Sequence, residues 1–128
     1  MKTVVISVRN LLFAQGLELV LKKTGNFRPY RVTPSKPENA AAECIARRAD
    51  ILLMDVGPQA GLSLEARMAA AEEIRRERRN VKIVLLCDEV AYPELAKAVM
   101  RTKQSGQIDA FYYASVPAEY LVDALDAI

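Results

Sequence analysis

The chain has no histidine, no tryptophan and only two cysteines, and its 128 residues include just five glycines and six prolines. Without histidine, Ser-His-Asp and Cys-His nucleophilic catalysis is ruled out, and the commonest neutral metal ligand and general base is missing. Cys44 and Cys87 lie far apart among apolar residues, without the paired spacing of a zinc site or redox motif. They are expected to be buried free thiols, and nothing in the pattern calls for a metal or cofactor. Scarce glycine and proline exclude collagen-like and low-complexity chains. No apolar run reaches the about 18 residues of a membrane span. Met1-Lys2 leads directly into a short apolar strand rather than a secretory leader. The expectation is a cytoplasmic protein with no membrane partner. Charge of one sign is nearly balanced too, 18 Lys and Arg against 16 Asp and Glu. The cations are interleaved with acids along the chain and no motif organises them, so this segment is not expected to contact nucleic acid directly.

What is present is apolar sequence, 52% of the chain, enough to form a core without staples. It alternates β-branched runs with helical periodicity, without a linker or internal repeat, so residues 1–128 read as one domain. Thr3–Val8 is a first strand; Leu11–Lys23 follows as a helix with Phe13, Leu17, Val20 and Leu21 on one face, stopped by Gly25. Phe27–Val32 is a weaker strand, placed at an edge by Pro29. Ser35 and Glu38 have capping-box spacing and predict a helix over Pro37–Arg48 that buries Ala41, Cys44 and Ile45, with the Arg48 stem along the end of that face. Asp50–Asp55 is a nearly unbroken apolar run ending in an acid, the mark of a central strand covered on both sides. Leu64, Met68, Ala71 and Ile74 continue at helical spacing. Val81–Leu86, Pro93–Thr102, Ile108–Tyr113 and a helix starting at Pro117 complete five βα units. Right-handed crossovers then give a three-layer, flavodoxin-like (βα)5 domain.

In such a sheet, chemistry collects beyond the carboxyl ends of the strands. Asp55 stands out there because it closes four apolar residues, although alone it reads as an acid that ends a strand and caps a loop. The order of elements over essentially the whole chain resembles the receiver domain of bacterial response regulators. Leu52-Leu53-Met54-Asp55, with Pro58 three residues on, is similar to that family's phosphoacceptor strand and turn. Lys82–Cys87 resembles its fourth strand, with Cys87 where a Ser or Thr contacts the phosphoryl group; Ala110–Ala114 resembles its fifth, with Phe111 at the aromatic switch position and Ala114 in place of a lysine. Gln15-Gly16-Leu17 is similar to the first helix of members joined to helix-turn-helix output domains. The resemblance implies a parallel sheet in the order 2-1-3-4-5.

Counting back from that helix puts Val8 and Arg9 where the family has two magnesium-holding acids. Neither supplies a carboxylate, and Arg9 adds a positive charge. Losing one electrostatic support of this kind typically costs about 3 kcal/mol, a hundredfold in rate. With Val8, Arg9, Cys87 and Ala114 all departing, the expectation is an atypical receiver in which Asp55 is a vestigial phosphoacceptor. Arg9 is expected to pair through its guanidinium with Asp55 or Asp88. Asp88 and Glu89 are pocket acids, more simply read as a solvated turn. The implied role is non-enzymatic: a signalling and dimerisation module of a transcriptional regulator. It would form a homodimer through the fourth-helix, fifth-strand and fifth-helix face, where Leu95, Val99 and Tyr120 are candidates. A sensor kinase or regulatory protein is the expected partner, and DNA is contacted only by an output domain outside this chain. The alternatives are a small flavodoxin-like ligand-binding or enzymatic domain, disfavoured by the lack of a glycine-rich phosphate loop, and a stand-alone protein-interaction adaptor.

Overall fold

A computed structural model describes all 128 residues, Met1 to Ile128. The β-branched runs become five strands, β1 (Lys2–Ser7), β2 (Phe27–Arg31), β3 (Ile51–Val56), β4 (Lys82–Cys87) and β5 (Ala110–Tyr113). Every pairing is parallel and the sheet order is β2-β1-β3-β4-β5, as the resemblance to receiver domains implies. The helices are α1 (Leu11–Thr24), α2 (Ala40–Ala46), α3 (Leu64–Glu77), α4 (Pro93–Gln104) and α5 (Ala118–Ala127).

Strand alternation splits the core into two layers. Val4, Ile6, Val8, Ile51, Leu53, Val84 and Leu86 pack with Ala14, Leu17 and Leu21 of α1 and Leu121, Val122 and Leu125 of α5. Val5, Leu52, Met54, Val56, Ile83 and Leu85 pack on the other side with Cys44 of α2, Ile74 of α3 and Val99 of α4. β1, β3 and β4 are thus apolar on both faces, which is why their sequences read as continuous hydrophobic runs.

Pro29 lies in the edge strand, as expected, and its orientation has a use. Lys2 N–H donates to Asn26 O at 3.0 Å and Val32 N–H to Ile6 O at 2.8 Å. Alternation therefore turns positions 26, 28, 30 and 32 toward β1 and leaves Phe27, Pro29 and Arg31 facing the free edge. The missing N–H of Pro29 interrupts the row of donors that an added strand would need.

Two helix starts follow from local chemistry. Asn10 Oδ1 accepts from Phe13 N–H at 3.0 Å to open α1, and Ser63 Oγ accepts from Ala66 N–H at 3.1 Å to open α3. The second helix departs from the expectation. Ser35 and Glu38 form no capping box: Pro37–Asn39 make a single 3-10 turn before Ala40–Ala46. Lys36, preceding a proline, stands outside the helical region at φ −131° and ψ 63° and serves itself as the residue before the turn, with no side-chain cap. The helix closes early, and Arg48 adopts a left-handed φ of 54°, so its side chain is exposed rather than laid along the buried face.

Candidate functional site at the carboxyl end of the sheet

β1 and β3 are neighbours, with Ser7 opposite Met54, so the chain leaving β1 lies beside Asp55. The cation there comes from α3 and not from Arg9. Leu64, Met68, Ala71 and Ile74 define the inward stripe of α3, and Arg67 falls on the same stripe, three residues after Leu64 and four before Ala71. Its side chain is 2% exposed. Nε donates to Asp55 O at 2.8 Å, one terminal nitrogen to Ser7 Oγ at 3.0 Å, and the other to Ser7 O and Asp55 Oδ1, both at 2.9 Å. Four of the five guanidinium N–H groups are thereby used. Burial pulls the Arg67 pKa down, and the charge of Asp55 and its hydrogen bond push it back up.

The second oxygen of Asp55 is also taken. Oδ2 accepts the backbone N–H of Arg9 at 2.9 Å. The expected Arg9 ion pair is therefore corrected: the residue holds Asp55 through its main chain, while its side chain is exposed and joins no salt bridge. The main-chain N–H is fixed by the turn after β1, whereas ordering an exposed guanidinium costs side-chain entropy for a small return.

Above this pair lies a cleft of about 540 Å³ that includes Val8, Arg9, Phe13, Leu86, Cys87 and Ala114 on its walls, with Asp55 and Asp88. Val8 is buried and apolar. Cys87 is buried, and burial first, then Asp88 and Glu89, push its thiol up to about 11. Ala114 is exposed and donates its N–H to Cys87 O at 2.9 Å. Asp88 Oδ1 accepts the N–H groups of Val90 and Ala91 at 3.1 and 3.0 Å, so it holds its own turn. Glu89 turns to Ser115 Oγ, 3.1 Å away. The magnesium that a receiver fold implies does not fit these residues. No three acidic, cysteine or histidine side chains converge anywhere, and both oxygens of the one carboxylate at the end of β3 already carry donors, whereas Mg²⁺ demands a near-ideal octahedron of oxygens.

On the neighbouring face, Phe111 is half-buried against the α2–α4 layer and meets Tyr113 edge-on at 5.9 Å. Leu95 packs partly against the core and Tyr120 is exposed, its ring 6.3 Å from Tyr112. Val99 is corrected from interface to core, since it is fully buried inside the α4 contact with the sheet.

The architecture is the flavodoxin-like (βα)5 fold of receiver domains. No protein-family profile matches the chain and no curated protein is similar to it in sequence. Among solved structures, a response regulator receiver domain protein from Clostridium thermocellum superposes with a TM-score of 0.74 at 14% identity, covering 99% of this chain and 93% of that one. A LuxR-family DNA-binding response regulator from Staphylococcus aureus gives 0.73 at 16% identity over 99% and 98%. A putative pilus assembly protein (cpaE) from Burkholderia thailandensis gives 0.62 at 22% identity over 99% and 97%.

Proposed function

We propose that the chain is a non-enzymatic, receiver-fold signalling and dimerisation module in which Asp55 does not serve as a working phosphoacceptor. The observation that carries this reading is the double engagement of the Asp55 carboxylate, one oxygen on the buried Arg67 guanidinium and the other on the Arg9 N–H. A carboxylate that attacks a phosphoryl group needs a free oxygen and a dense positive field around the incoming phosphate. Here the one fixed cation is spent on the ground-state carboxylate, and Val8 and Ala114 supply neither metal ligand nor counter-charge. The module then works through a standing conformation: a second copy or a regulatory protein, such as a sensor kinase, recognises its surface.

Charge supports a dimer through α4, β5 and α5. The helix α4 carries Lys97, Arg101 and Lys103 against Glu94, while α5 carries Glu119, Asp123 and Asp126 and no cation. A two-fold pairing that sets each α4 beside the partner's α5 matches these signs. Leu95 and Tyr120 would lie within that contact. Likeness to the LuxR-family regulator supports transcription control as the output, with DNA held by a domain outside this chain. The cpaE likeness favours a second reading, a module of a pilus assembly machine in the cytoplasm.

Incubation with acetyl phosphate and Mg²⁺ followed by intact-mass measurement tests the central claim. The expected result is no adduct; an Asp55-dependent gain of about 80 Da overturns it. A saturable flavin or nucleotide shift centred on the cleft would instead support a ligand-binding domain.

A further inference from the structure

We infer that the opposite end of the sheet carries a separate surface that binds the phosphodiester backbone of nucleic acid without reading sequence. Along the chain the cations alternate with acids, but the fold segregates them. Arg78 Nε donates to Ala49 O at 3.3 Å and Lys82 N–H to Asp50 O at 2.8 Å, which brings the 47–50 turn against the 78–82 segment. Arg48, Arg76, Arg79 and Lys82 are all exposed there, and none has an ion-pair or hydrogen-bond partner for its side chain. Several of the acids at this end are occupied. Asp50 accepts Thr3 N–H, Asp109 accepts Ile83 N–H and pairs with Arg75, and Glu43 pairs with Arg47. Glu73 and Glu77 near the end of α3, and Asp126, which lines a hollow with Asp50, carry no ion pair, and the four unpaired cations stand on the side of this end where α2 and α3 close.

Two features separate this cluster from ordinary compensation of a helix C-terminus. Cations favoured by the helix dipole sit in the last turn, a role Arg75 and Arg76 fill, whereas Arg79 and Lys82 lie beyond the end of α3 at Glu77. Arg48 is the only non-glycine residue in the chain with a positive φ. A left-handed residue that ends a helix is usually glycine or asparagine, and arginine there is strained. The strain places one more charge at the edge of the cluster.

The composition selects the ligand. Guanidinium groups match phosphate oxygens in bidentate geometry. No large exposed apolar side chain lies between Arg75 and Lys82 to enter a lipid surface, and no aromatic lies there to stack on unpaired bases. What remains suits the regular phosphate array of a duplex.

The test is fluorescence anisotropy of the whole chain with a short labelled duplex of arbitrary sequence, over a salt series. Binding is expected to weaken with a log–log salt slope of about −3 to −4, and Arg76→Glu with Arg79→Glu should lower affinity about tenfold or more. Arg31→Glu with Lys36→Glu, exposed residues at and just after the carboxyl end of β2, makes the same change in net charge elsewhere and should lower it less than about threefold. Arg48→Gly gives a readout that damage to the fold cannot mimic: it relieves the strained φ, so Tm should rise while the salt slope falls by about one. The proposal is overturned by absence of duplex binding at low salt, by equal losses in the two charge-reversal variants, or by binding to phosphatidylglycerol vesicles in preference to duplex.

Discussion

Helix α3 is tied to the sheet by an arginine near each end, and the two ties differ chiefly in burial. At the carboxyl end of the strands Arg67 meets Asp55 at 2.9 Å, with side chains 2% and 21% exposed. At the amino end Arg75 meets Asp109 at 2.8 Å, with 29% and 27% exposed. The chemistry is parallel. Each arginine also donates to a main-chain carbonyl, and each carboxylate accepts a main-chain N–H, from Arg9 or from Ile83. Burial decides what each can do. A guanidinium enclosed among Ser7 and Asp55 cannot trade its partners for water, so the upper tie is part of the fold's interior. The lower tie shares its surroundings with solvent and with a field of unpaired cations, and it behaves as a surface link.

The largest expected effect follows directly. Arg67→Ala leaves Ser7 O and the Asp55 carboxylate short of donors beside a cavity and should cost about 3–5 kcal/mol in urea unfolding. The Arg67→Ala, Asp55→Ala double variant should lose less than the sum of the two single losses, because the partners act as a unit. A loss under about 1 kcal/mol would place the upper pair in the same class as an exposed one.

Alkaline pH separates the two ends next. Burial pushes the Cys44 thiol up to about 12 although Arg78 at the lower end pulls it down, and pushes Cys87 up to about 11 with help from Asp88 and Glu89 at the upper end. Both pKa values are raised above the ordinary 9.0, so the unfolded chain loses these protons first. The stability they contribute is intact below pH 9 and should decline as pH rises through 11 and 12. Cys44→Ala should flatten this decline in pH-dependent unfolding more than Cys87→Ala. Equal flattening would mean that burial does not outweigh the opposite local charges.

Arg75→Ala should cost only about 1 kcal/mol by the same urea measurement. A loss matching that of Arg67→Ala would abolish the distinction between the two ties.

The unequal legibility of the two ends has a physical origin. The five βα units, the edge position of Pro29 and the placing of Asp55 were readable because they depend on periodicity and on a donor that proline lacks, whereas periodicity leaves the strand order open and only the resemblance to receiver domains supplied it. The absence of acids at Val8 and Arg9 was readable as well, since it is a matter of residue type. Arg67 was missed, although its signal is present: a charged residue on the stripe of Leu64, Met68, Ala71 and Ile74 must be paired inside or break the face. The pairing itself joins residues 12 and 60 positions apart, which no local pattern specifies. Arg9 drew the expectation because it falls at a strand end where the family has an acid, although it lies 46 positions from Asp55 and Arg67 only 12. Val99 was named an interface candidate from the resemblance alone, which does not say which face of α4 the sheet covers, and it is fully buried. The basic lower end was hidden for the converse reason, since cations that alternate with acids in sequence are sorted onto one surface only when α2 and α3 end side by side.

The smallest effect concerns Arg48 and probes why the lower end is built as it is. Arg48→Gly removes a side chain from a left-handed residue at φ 54°. Glycine pays more entropy on folding but meets no Cβ clash there, so the balance should favour the variant by about 0.5–1 kcal/mol. The exposed Arg48 side chain makes no hydrogen bond or ion pair whose loss would offset this. A gain in Tm shows that the arginine is kept against the preference of the backbone, as expected for a residue held for its charge. A loss shows that its alkyl stem covers the end of α2, and the lower end would then be structural in the same sense as Arg67 is at the upper one.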